Sequence, residues 1–257
     1  MTWSTKRKFF YIGGFIIILL FFLLLILQPR INKDSDCFDG IQNGSETGVD
    51  CGGSCLRFCA DQALDLSTRW SRVFRVIPGR YNVAALVENQ NQDAAIARIS
   101  YEFRLYDENN IFIARRSGAT YIPPNGRFLI FEPAISTGDR IAVRSDFTFT
   151  QRPDWLQVFD TIPNISVSGI RSQDIFLKPQ VTAVVTNTST TDLYDIDVAV
   201  IVYDEQENVL TTSFTFIEEL SRGLGHDVFF TWQEPFSEAP ARIEVLPFVN
   251  VYTSKRF

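Results

Sequence analysis

Ile99-Ser100-Tyr101-Glu102-Phe103-Arg104-Leu105-Tyr106-Asp107 alternates large apolar side chains with polar ones along nearly its whole length. A period of two puts one class of side chain on one face of an extended chain, so this stretch predicts a strand with a single buried face. Ile196, Val198, Val200 and Val202 repeat the pattern, with Asp197, Ala199 and Ile201 between them, and predict a second strand of the same kind. The first strand runs into Tyr106-Asp107-Glu108 and the second into Tyr203-Asp204-Glu205. The strands before them also correspond: Val83-Ala84-Ala85-Leu86-Val87-Glu88-Asn89 against Val181-Thr182-Ala183-Val184-Val185-Thr186-Asn187. Asn89 to Asn187 spans 98 positions and Tyr106 to Tyr203 spans 97, so one residue gained or lost in a loop reconciles the two blocks. Matched blocks at almost one offset predict a tandem repeat of a β-domain of about 90 residues.

Outward from these blocks, the first copy is expected to hold strands near Ser71–Ile77, Tyr81–Asn89, Ile96–Tyr106, Ile111–Ser117, Phe128–Phe131 and Arg140–Thr150. The second is expected to hold them near Ile165–Gln173, Val181–Asn187, Leu193–Tyr203, Val209–Phe216, Asp227–Trp232 and Ala241–Val251. Asp107-Glu108-Asn109-Asn110 and Asp204-Glu205-Gln206-Glu207-Asn208 read as hairpin turns. Pro123-Pro124-Asn125-Gly126 and Arg222-Gly223-Leu224-Gly225 occupy equivalent later turns. After Leu27 a helical period is expected only for a turn or two near Ala63–Thr68. Short strands separated by polar turns predict an all-β class with two tandem β-sandwiches, at 66–152 and 160–257.

Phe103-Arg104-Leu105-Tyr106-Asp107 resembles the Phe-x-Leu-Tyr-Asp string of the bacterial FxLYD domain family. Val87-Glu88-Asn89 and Pro124-Asn125-Gly126 fit the family's upstream Asn and downstream Pro/Gly turn. The second copy reads Val200-Ile201-Val202-Tyr203-Asp204. It keeps Tyr203 and Asp204 but loses Phe and Leu. The resemblance implies an immunoglobulin-like sandwich outside a bacterial membrane, and it transfers no catalytic residue. From the residues themselves, Phe103 and Leu105 belong on the buried face. Tyr106 points the other way or closes the strand end, and Asp107 accepts N–H groups of the following turn.

Phe9 to Leu27 contains no charged, amide or proline side chain. As a helix this run reaches about 28 Å, close to the roughly 30 Å hydrocarbon core of a bilayer. Lys6, Arg7 and Lys8 precede it, so residues 1–8 are expected in the cytoplasm and the rest outside. The run is longer than a signal-peptide core, and Gln28-Pro29-Arg30 offers no small-residue cleavage site, so an uncleaved single-pass anchor is expected at 9–27. Gly13 and Gly14 are adjacent, which is not the spacing of a helix-dimer motif.

All four cysteines (Cys37, Cys51, Cys55 and Cys59) fall in a segment at 34–60, and in an oxidising compartment they read as two disulfides with three pairings open. Too few apolar residues are present there for collapse, so cross-links must hold it. Its string resembles a motif of bacterial secreted and surface proteins, Cys-x-Asp-Gly-x-x-Asn-x-x-Glu-Thr-x-x-Asp-Cys-Gly-Gly-x-Cys. Asp36, Asp39, Asn43, Glu46 and Asp50 supply closely spaced oxygens that could hold calcium, although the EF-hand pattern is absent. The alternative is a solvated, disulfide-stapled spacer. The cysteine spacing is not that of a zinc site.

The chain carries 24 basic and 30 acidic residues, a formal charge of −6. Three of the bases precede the apolar run, so the remainder is more acidic still, which argues against nucleic acid and anionic lipid as partners. The one histidine, His226, has no Gly-x-Ser-x-Gly elbow beside it, and there is no phosphate-binding glycine loop. Trp70, Trp155 and Trp232 read first as core residues, with Trp155 placed to wedge between the domains. Asn43, Asn164 and Asn187 head chance glycosylation patterns. The expectation is a non-enzymatic, membrane-anchored protein of a bacterial envelope, without cofactor, acting in structure or protein–protein contact. A calcium-binding or ligand-sensing ectodomain working through a partner is the alternative, followed by an exported hydrolase using His226.

Overall fold

In the computed structural model, residues 3–31, 36–159 and 162–252 are described. Within the N-terminal helix, the side chains described are those of Trp3 and of 8–24. The chain divides into two units, Met1–Cys59 and Ala60–Phe257.

The first unit opens with α1, Trp3–Ile31. The helix starts before the apolar run and continues past it, through Pro29. Among the described residues no helix is long and apolar enough to cross a membrane. The end of the expected span, residues 25–27, lies outside the described side chains, as do those of Lys6 and Arg7. Residues 34 and 35 of the cysteine segment also lie outside the described residues. From Asp36 onward that segment is a run of turns, with a lone bridge between Gly48 and Cys51.

The second unit is built of antiparallel strands in four sheets. Its first half contains β1 (Ser67–Ile77), β2 (Arg80–Asn89), β3 (Ala94–Tyr106), β4 (Phe112–Ile122), β5 (Gly126–Ser136) and β6 (Arg144–Phe149). The two-residue β7 (Leu156–Gln157) follows. The second half contains β8 (Ile165–Gln173), β9 (Gln180–Asn187), β10 (Leu193–Tyr203), β11 (Val209–Leu220), β12 (Gly225–Thr231) and β13 (Arg242–Val249). Sheet I has the order β1-β2-β5 and sheet II the order β4-β3-β6, with β7 also on β3. Sheet III has the order β12-β9-β8 and sheet IV the order β11-β10-β13. Replacing each strand of the first half by its counterpart in the second reproduces both sheets, so the sequence repeat is a repeat of topology.

Each pair of sheets encloses a core. Val83, Ala85, Val87, Ile99, Phe103, Leu105 and Phe128 are at most 1 % exposed in the first pair. Ser71 of β1 meets Ser145 of β6 at one rim, and Tyr101 of β3 donates to Glu132 of β5 at the other. In the second pair one cluster joins Val181 and Val185 of β9, Val198, Val200 and Val202 of β10, Ile217 of β11, Val228 and Phe230 of β12 and Val245 of β13.

All twelve expected strands form, with three differences of substance. Ile141-Ala142-Val143 is loop rather than the start of β6, because Val143 N–H donates to Tyr106 O as the chain turns. Ala63–Thr68 is not helical: it is turn and extended chain leading into β1, whose ladder with β2 captures it from Ser67. The second strand is not one-faced, because Ala199 and Ile201 of β10 are as fully buried as Val198 and Val200. Ala84 and Leu86 of β2 are likewise buried, between Val83, Ala85 and Val87 of the opposite face. The cause is stacking of the two sandwiches, sheet I on sheet IV. Phe131 of β5 lies parallel to Phe214 of β11 with ring centroids 6.1 Å apart. Arg72 of β1 donates to Val209 O at 3.5 Å, and Arg127 of β5 pairs with Glu244 of β13.

Candidate functional site

In the cysteine segment the disulfides are Cys37–Cys55 and Cys51–Cys59. They cross-link a loop whose glycines are forced by space: a Cβ on Gly52 would lie 1.9 Å from Thr47 Oγ1, and one on Gly53 would lie 1.9 Å from Ser45 O. Both glycines also take positive φ, 73° and 60°.

Four of the five side chains proposed for calcium, those of Asp39, Asn43, Glu46 and Asp50, are engaged within the loop, and Asp36 takes part through its main-chain N–H. Asp50 accepts Gly40 N–H on both carboxylate oxygens, at 2.9 and 3.1 Å. Asp39 accepts Ile41 N–H at 2.9 Å and the Asn43 amide at 2.7 Å. Asn43 Oδ1 accepts Asp36 N–H at 3.1 Å. The buried Glu46 accepts Asn43 N–H at 3.1 Å and rests 3.4 Å from Cys55 Sγ. Among the described residues, the one trio of metal-capable groups whose ligand atoms all fall within 4.8 Å is Cys37, Glu46 and Cys55. Its two sulfurs are joined in a disulfide and offer no thiolate. The Asp39, Glu46 and Asp50 carboxylates therefore act as turn acceptors. Addition of calcium to about 1 mM, in the affinity range of extracellular calcium modules, should leave the melting temperature of the protein unchanged. A rise that disappears in Asp39→Ala and Asp50→Ala would support the calcium reading instead.

At the strand ends the two copies carry the same constellation. Phe103 and Leu105 are fully buried, and Phe103 packs against Phe147 with centroids 4.9 Å apart. Tyr106 holds the Arg144 guanidinium 4.2 Å from its ring centre, and Tyr203 holds Arg242 at 3.7 Å. These arginines are the Cα partners of the tyrosines in the β3–β6 and β10–β13 ladders. Asp107 accepts Ile111 N–H at 2.9 Å and Asn109 N–H at 3.0 Å. Those bonds, with the Arg140 guanidinium, hold its carboxyl below the usual carboxylate range. Asp204 accepts Asn208 N–H at 2.7 Å and Gln206 N–H at 2.9 Å. Burial pushes the Asp204 carboxyl up, but the Asn208 and Gln206 bonds outweigh it and lower the group.

Asn89 and Asn187 close the other end of each sandwich. Asn89 Nδ2 donates to Ala94 O and Pro123 O, and its Oδ1 accepts Asn91 N–H. Asn187 Nδ2 donates to Thr191 O and Leu220 O, and its Oδ1 accepts Ser189 N–H. Both side chains are fully buried. Asn187 is thus committed inside the fold rather than presented for glycosylation. The sequence reading marked both asparagines but missed Arg144 and Arg242, which share the 98-residue spacing of the asparagines.

The joint between the sandwiches contains a cleft of about 440 Å³, with Phe74 and Asn82 on one wall and Thr212, Trp232 and Phe236 on the other. Arg75 of β1 and Glu234 meet across it at 3.3 Å. Thr212 is 1 % exposed, and its hydroxyl has no partner among the protein atoms described. Trp232 donates to Thr212 O at 3.3 Å and packs edge-on against Phe236, so it serves the core. Trp155 is buried directly before β7. His226 is exposed at the start of β12, opposite Val185.

No family model and no curated protein sequence matches the chain. Among solved structures the chain is similar to a crystal structure of red sea bream transglutaminase, with 11 % identity and a TM-score of 0.22 over 74 % of this chain and 32 % of that one. The chain spans about a third of that protein's length. A likeness this low carries no inference about activity.

Proposed function

We propose that the chain is a membrane-anchored protein of a bacterial cell envelope that serves in structure or protein–protein contact. On this reading α1 is the anchor, residues 1–8 are cytoplasmic, and the remainder is extracytoplasmic. The sandwiches are immunoglobulin-like domains of the FxLYD kind. The observation that carries it is the joint: sheet I on sheet IV makes one block of two sandwiches, displaying strand edges and loops. The apolar run after Lys6, Arg7 and Lys8 supports the anchor, and two disulfides suit an oxidising exterior. A contact surface is available where the β3–β4 turn and the β5–β6 loop expose Ile111, Phe112, Ile141 and Val143. Clustered exposed apolar side chains of this kind mark interaction sites.

Two measurements test the reading. External protease on sealed cells should remove a tag placed at the C-terminus. A tag that survives in sealed cells and is lost only on permeabilisation would invert the topology. A photo-cross-linker at Ile141 or Phe112 should capture a discrete protein in intact cells. Absence of any adduct at both positions would remove the contact role.

A further inference from the structure

We propose that Cys51–Cys59 is a thiol-exchange site, a bridge that an external dithiol opens while Glu46 keeps Cys37–Cys55 closed. This goes beyond the envelope reading and holds wherever the chain meets a dithiol.

The two bridges are alike in outline. Each joins a half-buried cysteine, Cys37 or Cys51, to a buried one, Cys55 or Cys59. Exchange needs access for an attacking thiolate, and burial leaves that access at the outer sulfur. Each outer cysteine follows an aspartate, Asp36 or Asp50, so the charge next to it in sequence does not separate the two. In both, the inner sulfur must leave as a thiolate. The rate then depends on how well its surroundings accept that charge.

There the bridges differ. Cys55 Sγ lies 3.4 Å from Glu46 Oε1. Glu46 is 7 % exposed, and its other oxygen accepts Asn43 N–H. Bonded to Cys37, the Cys55 sulfur carries no proton to give to Oε1. A thiolate released on Cys55 would stand beside a like charge where water hardly reaches, which makes it a poor leaving group. Cys59 Sγ instead faces the Thr47 hydroxyl at 3.5 Å. A hydroxyl can turn its proton toward a thiolate and stabilise it. Gly48 bears on the same bridge. A Cβ there would lie 2.8 Å from Cys51 Sγ and 2.9 Å from Cys59 Sγ, so only glycine leaves that flank clear.

The exchange runs in two steps. One thiolate of the dithiol attacks Cys51 Sγ, the Cys51–Cys59 bond breaks with its electron pair on Cys59, and a mixed disulfide forms on Cys51. Cys59 takes a proton from solvent. The second thiolate of the dithiol then attacks the dithiol's own sulfur in the mixed disulfide and expels Cys51, which is protonated in turn. The bridge gains two electrons and two protons, and the dithiol loses both as it closes to a disulfide. The loop stays pinned after this opening. Cys37–Cys55 remains, Asp50 accepts Gly40 N–H, and Gly52 N–H donates to Arg57 O at 2.8 Å.

The test is partial reduction of the full chain in uncharged detergent micelles by dithiothreitol, at about pH 8 where thiols begin to ionise. Aliquots are quenched with iodoacetamide, and the alkylated cysteines are located by peptide mass spectrometry. Molecules with one bridge open should carry the label on Cys51 and Cys59, because that bridge opens on the order of tenfold faster than the other. Glutathione in place of the dithiol should be trapped on Cys51 with the alkyl group on Cys59, which identifies the leaving sulfur. Glu46→Gln should speed the opening of Cys37–Cys55 and leave that of Cys51–Cys59 as it was. Thr47→Val should slow Cys51–Cys59, and Thr47→Ser should keep the wild-type rate. The order of opening in the wild type needs no variant to fold. Equal rates, earlier opening of Cys37–Cys55, or a Glu46→Gln chain with the wild-type ratio of rates would overturn the proposal.

Discussion

Asn187→Ala should lower the unfolding free energy by about 3–5 kcal/mol, read as a shift in the urea midpoint at unchanged slope. The side chain is fully buried and makes three hydrogen bonds to main-chain groups, at 2.8, 2.9 and 2.9 Å. Truncation takes the Asn187 partner from Leu220 O and from the Ser189 N–H, each costing roughly 1–3 kcal/mol when left unpaired, while Thr191 O keeps the Ser189 hydroxyl at 3.1 Å. Alanine also leaves a small void, which adds to the cost. Asn187→Asp separates bonding from volume. It keeps the shape but turns a carboxylate oxygen toward Thr191 O and Leu220 O, so it should be at least as damaging as alanine. Asn89 makes the same three bonds, and Asn89→Ala should behave alike in the first sandwich. A cost below about 1 kcal/mol at either position would mean that solvent reaches these groups.

Phe103→Ala should cost about 3–5 kcal/mol. Phe103 has no exposed surface and packs against Tyr101 and Phe147, with centroids 5.8 and 4.9 Å away. Its removal opens a cavity between sheets I and II, where β2 and β5 have no slack to close it. Phe103→Leu keeps much of the volume and should cost clearly less. An alanine variant that loses under about 1 kcal/mol would place the other face of β3 against the core.

These two positions also show how legible the fold was. Phe103 could be read from alternation because sheet II faces the core on one side only, with Glu102 and Arg104 on the other face and bonded to each other at 2.6 Å. Asn187 was visible as half of a repeat, but its bonds were not. They reach Thr191 and Leu220, and the second lies 33 positions away in sequence. Arg144 and Arg242 went unnoticed because a lone arginine in a strand has no local signature. Their meaning comes from standing opposite Tyr106 and Tyr203 across a ladder.

In the cysteine segment the residue types predicted cross-linking, while the pairing of Cys37 with Cys55 and Cys51 with Cys59 needed the folded loop. The acidic residues there looked like a cation site in sequence. Their oxygens turn inward to main-chain N–H groups because so short a loop has few other acceptors for its own turns.

Local chemistry alone established the strand class, the turns, the duplication and the apolar run at the N-terminus, because a period of two and a turn residue act over a few bonds. The stacking of sheet I on sheet IV belongs to tertiary structure. Val83 to Val87 and Val198 to Val202 are unbroken apolar runs, the pattern of a strand covered on both faces, yet nothing within either run names its cover. That cover is the other sandwich, and only burial of Ala84, Leu86, Ala199 and Ile201 between them reveals it.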